Sequence, residues 1–202
     1  MPSPTPLARL PVIFVGSFPD PCARLTPALP EIALVGRSNV GKSSLLNALL
    51  GRRVARVSRT PGRTGHLNVY RLPTLYLLDL PGYGWARASQ SERARLARLV
   101  RGVLTRRPTL SGVLWLLDVR HDPSRDDLAL AELLGERGLP VLAALTKADK
   151  LTQSERRRRT AALAARLALP PDQIQLTSST TGLGISDLAE SLLAFAEALA
   201  RR

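Results

Sequence analysis

The chain has 202 residues, 45% apolar and 22% charged, enough for one hydrophobic core and too few for two ordinary domains. Those proportions exclude a wholly disordered or collagen-like chain, and the longest uncharged apolar stretches, 109–117 and 138–146, fall short of the roughly 18 residues a membrane-spanning helix needs. Cys22 is the only cysteine, so no intrachain disulfide can form, and a reducing cytoplasm is the expected compartment.

The formal charge is +13, and 26 of the 29 basic residues are arginine, the lysines being Lys42, Lys147 and Lys150. Two readings stand side by side: a codon bias that fills solvated faces with guanidinium, or a polyanionic partner such as RNA held through many phosphates.

Eight of the sixteen prolines fall in the first thirty residues, so 1–29 reads as a proline-rich extension and 30–200 as the folded domain. The apolar run 12–15 is shorter than the roughly 7 to 15 residues of a secretory core, and no export signal is expected. A strand over 32–35 then runs into Gly36-Arg-Ser-Asn-Val-Gly41-Lys42-Ser43, which matches GxxxxGK(S/T) between a strand and a helix. Glycines at this spacing let the backbone curl around a diphosphate, with successive amides and the positive helix end aimed at its oxygens. Lys42 would reach the β- and γ-phosphates, and the Ser43 hydroxyl would coordinate Mg2+. Asn39 is a candidate K+ ligand by likeness to potassium-dependent GTPases, or only a brace for the loop. Thr60-Pro-Gly-Arg-Thr64 reads as a mobile loop, with Thr64 a second Mg2+ ligand once a γ-phosphate draws it in.

Strands over 67–72 and 75–80 lead to Asp79-Leu-Pro-Gly82. The carboxylate would hold Mg2+ through water, and the Gly82 amide would bond the γ-phosphate. Tyr83 stands where Ras-type enzymes carry the glutamine that orients the attacking water, so intrinsic hydrolysis is expected to be slow. Trp85 is either core or a stacking platform for RNA. Ser89 and Glu92 read as a capping box. In the helix they open, Arg95, Arg98 and Arg101 oppose Leu96, Leu99, Val100, Val103 and Leu104, giving a solvated face or a partner surface.

Strands over 112–119 and 141–145 precede Thr146-Lys147-Ala148-Asp149, which lies at the strand edge where a base-binding loop belongs. Asp149 would accept hydrogen bonds from guanine N1 and N2. Adenine cannot donate them, so ATP would leave a carboxylate unpaired. If lysines were scattered over the basic positions, the chance that Lys42 and Lys147 are both lysine is about one in a hundred; a compact ammonium at both is expected for function. Thr152 and Glu155 form a second capping pattern ahead of Arg156 to Arg159. After a strand over 174–176, Ile185, Leu188, Leu192, Ala196 and Leu199 place one face of the last helix on the sheet.

Taken together, GRSNVGKSSLLNAL from Gly36, TPGRT from Thr60, DLPGYGWA from Asp79, Asp118-Val-Arg-His121 and TKADKL from Thr146 resemble the EngB (YihA/YsxC) family of bacterial ribosome-biogenesis GTPases. The likeness runs from about residue 14 to 195. It implies nucleotide contacts from Gly36, Arg37, Ser38, Asn39, Val40, Gly41, Lys42 and Ser43, and from Gly62, Arg63, Thr64, Gly65 and His66. Further contacts are implied from Asp79, Leu80, Pro81 and Gly82, from Thr146, Lys147, Ala148 and Asp149, and from Thr177, Ser178 and Ser179, whose amides would approach guanine O6. Lys42, Thr64 and Gly82 would serve hydrolysis, and Ser43 and Thr64 would ligate Mg2+. The family usually has glutamine after the switch threonine; here Gly65 and then His66 follow it.

The expected fold is a Ras-like α/β P-loop domain with a mostly parallel sheet, helices on both faces and the nucleotide at the C-terminal strand edge. The resemblance implies a GTP switch that binds GTP with Mg2+, hydrolyses it, associates with the large ribosomal subunit during its assembly and is needed for cell division and septation; a cytoplasmic monomer is the expected form. A rival reading is a nucleotide-gated adaptor of the division machinery that binds proteins rather than RNA.

Overall fold

A computed structural model describes residues 5–55, 65–84 and 89–200. Its sheet contains β1 (Ile13–Phe18), β2 (Glu31–Gly36), β3 (Leu67–Arg71), β4 (Tyr76–Asp79), β5 (Leu110–Asp118), β6 (Val141–Thr146) and β7 (Ile174–Leu176), in the order β1-β3-β4-β2-β5-β6-β7. Only β3 runs against the rest, antiparallel to both β1 and β4. The helices are α1 (Lys42–Leu49), α2 (Gln90–Arg106), α3 (Arg125–Glu136), α4 (Gln153–Leu167) and α5 (Ile185–Ala200).

Strand alternation explains why both faces are covered. In β2, Ile32 and Leu34 point to a core shared with Leu45, Leu46 and Leu49 of α1 and Leu188 and Leu192 of α5. Ala33 and Val35 point the other way, to a core built with Val103 and Leu104 of α2, Leu130 of α3 and Leu163 of α4. Period-2 strands that are apolar at every position need cover on both sides, which right-handed crossover helices supply. Trp115 in β5 is fully buried, and truncating it to alanine should cost about 3–5 kcal/mol.

The helix openings follow the sequence signals. Thr152 accepts from the Glu155 amide, and Glu155 returns the bond to the Thr152 amide; Ser124 and Asp127 form an equivalent box at α3. At α2 the Ser89 hydroxyl accepts from the Glu92 amide. Ile185, Leu188, Leu192 and Ala196 of α5 are buried as expected, while the side chain of Leu199 lies outside the described residues.

The lead-in differs from its sequence reading. The apolar run at 12–15 enters a real strand, β1, which pairs with β3 at the sheet edge, with a register shift between Phe14 and Gly16. The prolines around it and the exposure of Ile13, Phe14 and Val15 hide the alternation by which a strand is read. The segment is also tied down elsewhere: Thr5 Oγ1 donates to the Leu49 carbonyl at 2.6 Å, and Arg107, buried in a salt bridge with Glu31, donates to the Pro21 carbonyl at 2.8 Å.

Candidate functional site

The C-terminal ends of β2, β4, β5 and β6 bring Gly36, Asp79, Asp118 and Thr146 to one sheet edge. Thr60, Gly62, Arg63, Thr64 and Trp85 lie outside the described residues. Gly65 and His66 stand just before β3, and the Gly65 carbonyl accepts from Arg95 Nη1 at 2.8 Å.

The loop 36–43 has the geometry of an anion cradle. Asn39 is left-handed at φ 63°, and Gly41 adopts φ 104°, a conformation that L side chains rarely take. The alternation turns amides inward, as in an anion-binding nest. Not every amide remains available. Ser38 N–H donates to the Tyr83 carbonyl at 2.8 Å and Val40 N–H to the Arg37 carbonyl at 3.2 Å. Those of Asn39, Gly41, Lys42 and Ser43 have no acceptor among the described residues, and the last three open a helix whose dipole favours an anion.

Lys42 is buried and its ammonium lies on the Asp79 carboxylate. Each is the other's counter-charge here. Leu80 and Pro81 are buried behind this strand end, and Leu80 N–H donates to the Leu34 carbonyl. Gly82 comes so close to the cradle that a Cβ there would sit 2.9 Å from the Ser38 nitrogen, which explains glycine at this position. Its own amide has no acceptor among the described residues.

Residues 146–149 are knitted to the cradle. Thr146 Oγ1 donates to the Val40 carbonyl at 2.8 Å. Lys147, left-handed at φ 61°, donates to the Asn39 carbonyl at 2.8 Å and meets Asp118 Oδ2 at 2.9 Å. Burial pushes the Asp118 carboxyl up, but hydrogen bonds from Arg120 and Lys147 outweigh it and hold the group well below the usual carboxylate range. Ala148 N–H donates to the Thr177 carbonyl at 3.0 Å. Ser178 Oγ donates to Asp149 Oδ1 at 2.6 Å, and this bond, with Lys150, keeps the Asp149 carboxyl low.

A cavity of about 180 Å3 lies between these loops and α1, lined by Gly41, Thr146, Lys147, Asp149, Thr177 and Ser179 among others. Of the three amides expected to approach a base, Thr177 N–H is spent on Leu145 and Ser178 N–H on Leu183. Only that of Ser179 is left, because β7 and the turn before α5 need the other two for their own pairing.

Sequence reasoning gave Asp118 no role, although it fixes Lys147; its place at a strand end in a polar Asp-Val-Arg-His string was the available signal. It also missed the anchoring of Tyr83. The phenol donates to Asp127 Oδ1 at 2.7 Å and accepts from Trp115 Nε1 at 2.9 Å. Burial first, then Asp127, pushes its pKa well up. Tyr83 is therefore a neutral donor turned toward α3, away from the cradle.

A metal of the Mg2+ class suits the oxygen donors present. Ser43 and Asp79 offer hard oxygen ligands of the kind Mg2+ takes; the described residues contain no cluster of three or more His, Cys, Asp or Glu.

The family model described as 50S ribosome-binding GTPase matches residues 31–147. A probable GTP-binding protein EngB from Gemmatimonas aurantiaca is 48% identical over 82% of this chain and 82% of its own length. Its counterpart from Oleidesulfovibrio alaskensis is 46% identical over 81% of this chain and 75% of its own. Among solved structures, a probable GTP-binding protein engB superposes with a TM-score of 0.70 at 21% identity, covering 85% of this chain and all of that one. Era in complex with MgGDPNP and 16S ribosomal RNA nucleotides gives 0.66 at 23% identity over 83% of this chain and 57% of its own. With the cradle, the base loop and the sheet order already in place, these matches mean that the chain belongs to the EngB family of GTP-binding proteins, built on the P-loop GTPase fold.

Proposed function

We propose that this chain is a GTP switch with slow intrinsic hydrolysis that acts on the assembling large ribosomal subunit and is needed for normal division and septation. The observation that carries the nucleotide reading is the prearranged base end, with Asp149 held by Ser178 and Lys147 between Asp118 and the cradle. GTP enters as substrate with its base toward Asp149 and the Ser179 amide. Lys42 leaves Asp79 for the β- and γ-phosphates, and the free amides of 39 and 41–43 take the remaining oxygens. Mg2+, when bound, neutralises charge on the phosphate oxygens, and Ser43, Asp79 and Thr64 are the residues that would hold it. The Gly82 amide meets the γ-phosphate, and Thr64 closes with it. Because the Tyr83 phenol is committed to Asp127 and Trp115, no side-chain amide at that position orients water, which favours slow turnover until a partner or a K+ ion at Asn39 completes the site.

The ribosomal part of the reading rests on the family and on the net charge of +13. It is tested by sucrose-gradient co-sedimentation with large subunits in a non-hydrolysable GTP analogue, GDP or no nucleotide. Migration with the subunit only with the analogue is expected. Absence in every lane, with GTP binding intact, would leave a protein-binding adaptor of the division machinery as the better reading. Depletion in cells should give filaments alongside a deficit of mature large subunits. No described helix is long and apolar enough to cross a membrane.

A further inference from the structure

Beside Tyr83, a groove of about 670 Å3 opens between α2 and α3, within the range of volumes that hold organic ligands. Its walls are apolar: Val100 and Leu104 from α2 and Leu130 and Leu133 from α3, with Tyr83 also in the lining. Arg93 and Arg101 stand two turns apart along the α2 side, Arg37 reaches in from the cradle, and Asp126 is the one carboxylate on the rim. We propose that this groove takes unstacked bases of a single-stranded RNA whose phosphates lie on Arg93, Arg101 and Arg37. The proposal rests on the ribosomal reading for its biological setting and on the groove for its chemistry.

Charge distinguishes α2 from the other arginine-rich helix. In α4, Arg156 donates to the Ala148 carbonyl, Arg159 to the Val119 carbonyl and Asp122, and Arg166 faces Asp122. These guanidiniums brace the domain. Along α2, Arg93, Arg95, Arg98, Arg101 and Arg106 are all exposed, and none has a carboxylate partner among the described residues. The segments 56–64 and 85–88, outside the described residues, contain no aspartate or glutamate in their sequence. Unpaired planar cations flanking an apolar, partly aromatic trough fit phosphates and base faces together. Tyr83 connects the trough to the nucleotide, since its carbonyl accepts the Ser38 amide and its own amide donates to the Gly36 carbonyl.

The test is fluorescence anisotropy of the full chain, loaded with a GTP analogue, against a labelled eight-nucleotide single-stranded RNA and the same strand with abasic central positions. Loss of base stacking should weaken binding roughly 5- to 150-fold, the equivalent of about 1–3 kcal/mol per base. Arg93→Ala with Arg101→Ala should flatten the salt dependence by about 1.4 logarithmic units per decade, 0.7 for each lost phosphate contact. Ala97→Trp, which fills the groove from an exposed position without altering charge, should weaken the intact strand at least tenfold and leave the abasic strand unchanged. Arg157→Ala with Arg158→Ala, exposed on α4, is the control of equal charge loss. Equal binding of intact and abasic strands, an Ala97→Trp protein that binds like the unaltered one, or an equal loss in the α4 control would overturn the proposal. Displacement of the RNA by polyglutamate at matched charge would overturn it in favour of an acidic protein segment. Failure of the ribosomal reading looks different: the unaltered chain would bind the short RNA through the groove yet miss the large subunit in gradients.

Discussion

At the base end of the site, Asp149 is already bonded to Ser178 and Lys147 is already clasped between Asp118 and the Asn39 carbonyl. At the phosphate end, Lys42 lies on Asp79, a partner that it must leave when a phosphate arrives. The base end is preorganised, so the ordering cost of recognition is met in folding and discrimination is fixed before binding. The phosphate end exchanges one ion pair for another, so its energy depends on which anion is present. On the proposed reading, that difference would let one site hold GDP and GTP alike by the base yet respond to the γ-phosphate.

Three substitutions bear on this division. Lys42→Ala should have the largest effect, removing the phosphate cation and leaving Asp79 buried without its counter-charge; GTP and GDP binding should both vanish in equilibrium titrations, and unchanged GDP affinity would remove Lys42 from the phosphate site. Asp149→Asn should lower GTP affinity about 100-fold, in line with about 3 kcal/mol for a charged hydrogen-bonding pair. Because an amide can donate to a carbonyl at base position 2, XTP should lose less or gain. A variant that loses GTP and XTP equally would show that Asp149 shapes the loop and does not read the base. Thr64→Ala should spare GDP and weaken GTP·Mg2+ about tenfold, the scale of one lost charge-assisted contact; equal losses for both would place Thr64 outside the responsive end.

The sequence made the contiguous parts of the site legible. Gly36 to Ser43, Asp79 to Gly82 and Thr146 to Asp149 each keep their chemistry within a few residues, and strand-to-helix context fixes where such strings sit. What stayed hidden depends on pairing across the sheet. Asp118 acquires its role only because β5 and β6 lie side by side and bring Asp118 opposite Thr146. The amides of Ser38 and Thr177 are bonded within the fold to Tyr83 and Leu145, distant in sequence, and that of Ser178 to Leu183, five residues on. β1 escaped for another reason: an edge strand with successive residues Ile13, Phe14 and Val15 all exposed, and prolines on both sides, lacks the burial pattern by which central strands announce themselves.

The smallest expected effects sharpen the base end. Asp118→Asn should weaken GTP and GDP equally, about tenfold, because Lys147 loses one charged partner while keeping the Asn39 carbonyl. Selectivity for guanine should not change, since Asp149 is untouched. The same variant gives a pH test with a definite sign. A carboxyl held below its ordinary value of 3.8 in the folded chain contributes stability that is fully present above that value and lost as the pH falls through the lower folded one. The difference in Tm between the unaltered chain and Asp118→Asn should therefore narrow below about pH 4. A difference that stays undiminished in that acid range would mean that another group, not the Asp118 carboxylate, holds Lys147 against the cradle; changes nearer neutrality do not bear on this, because His121 Nε2 also stands 3.8 Å from Asp118 Oδ2.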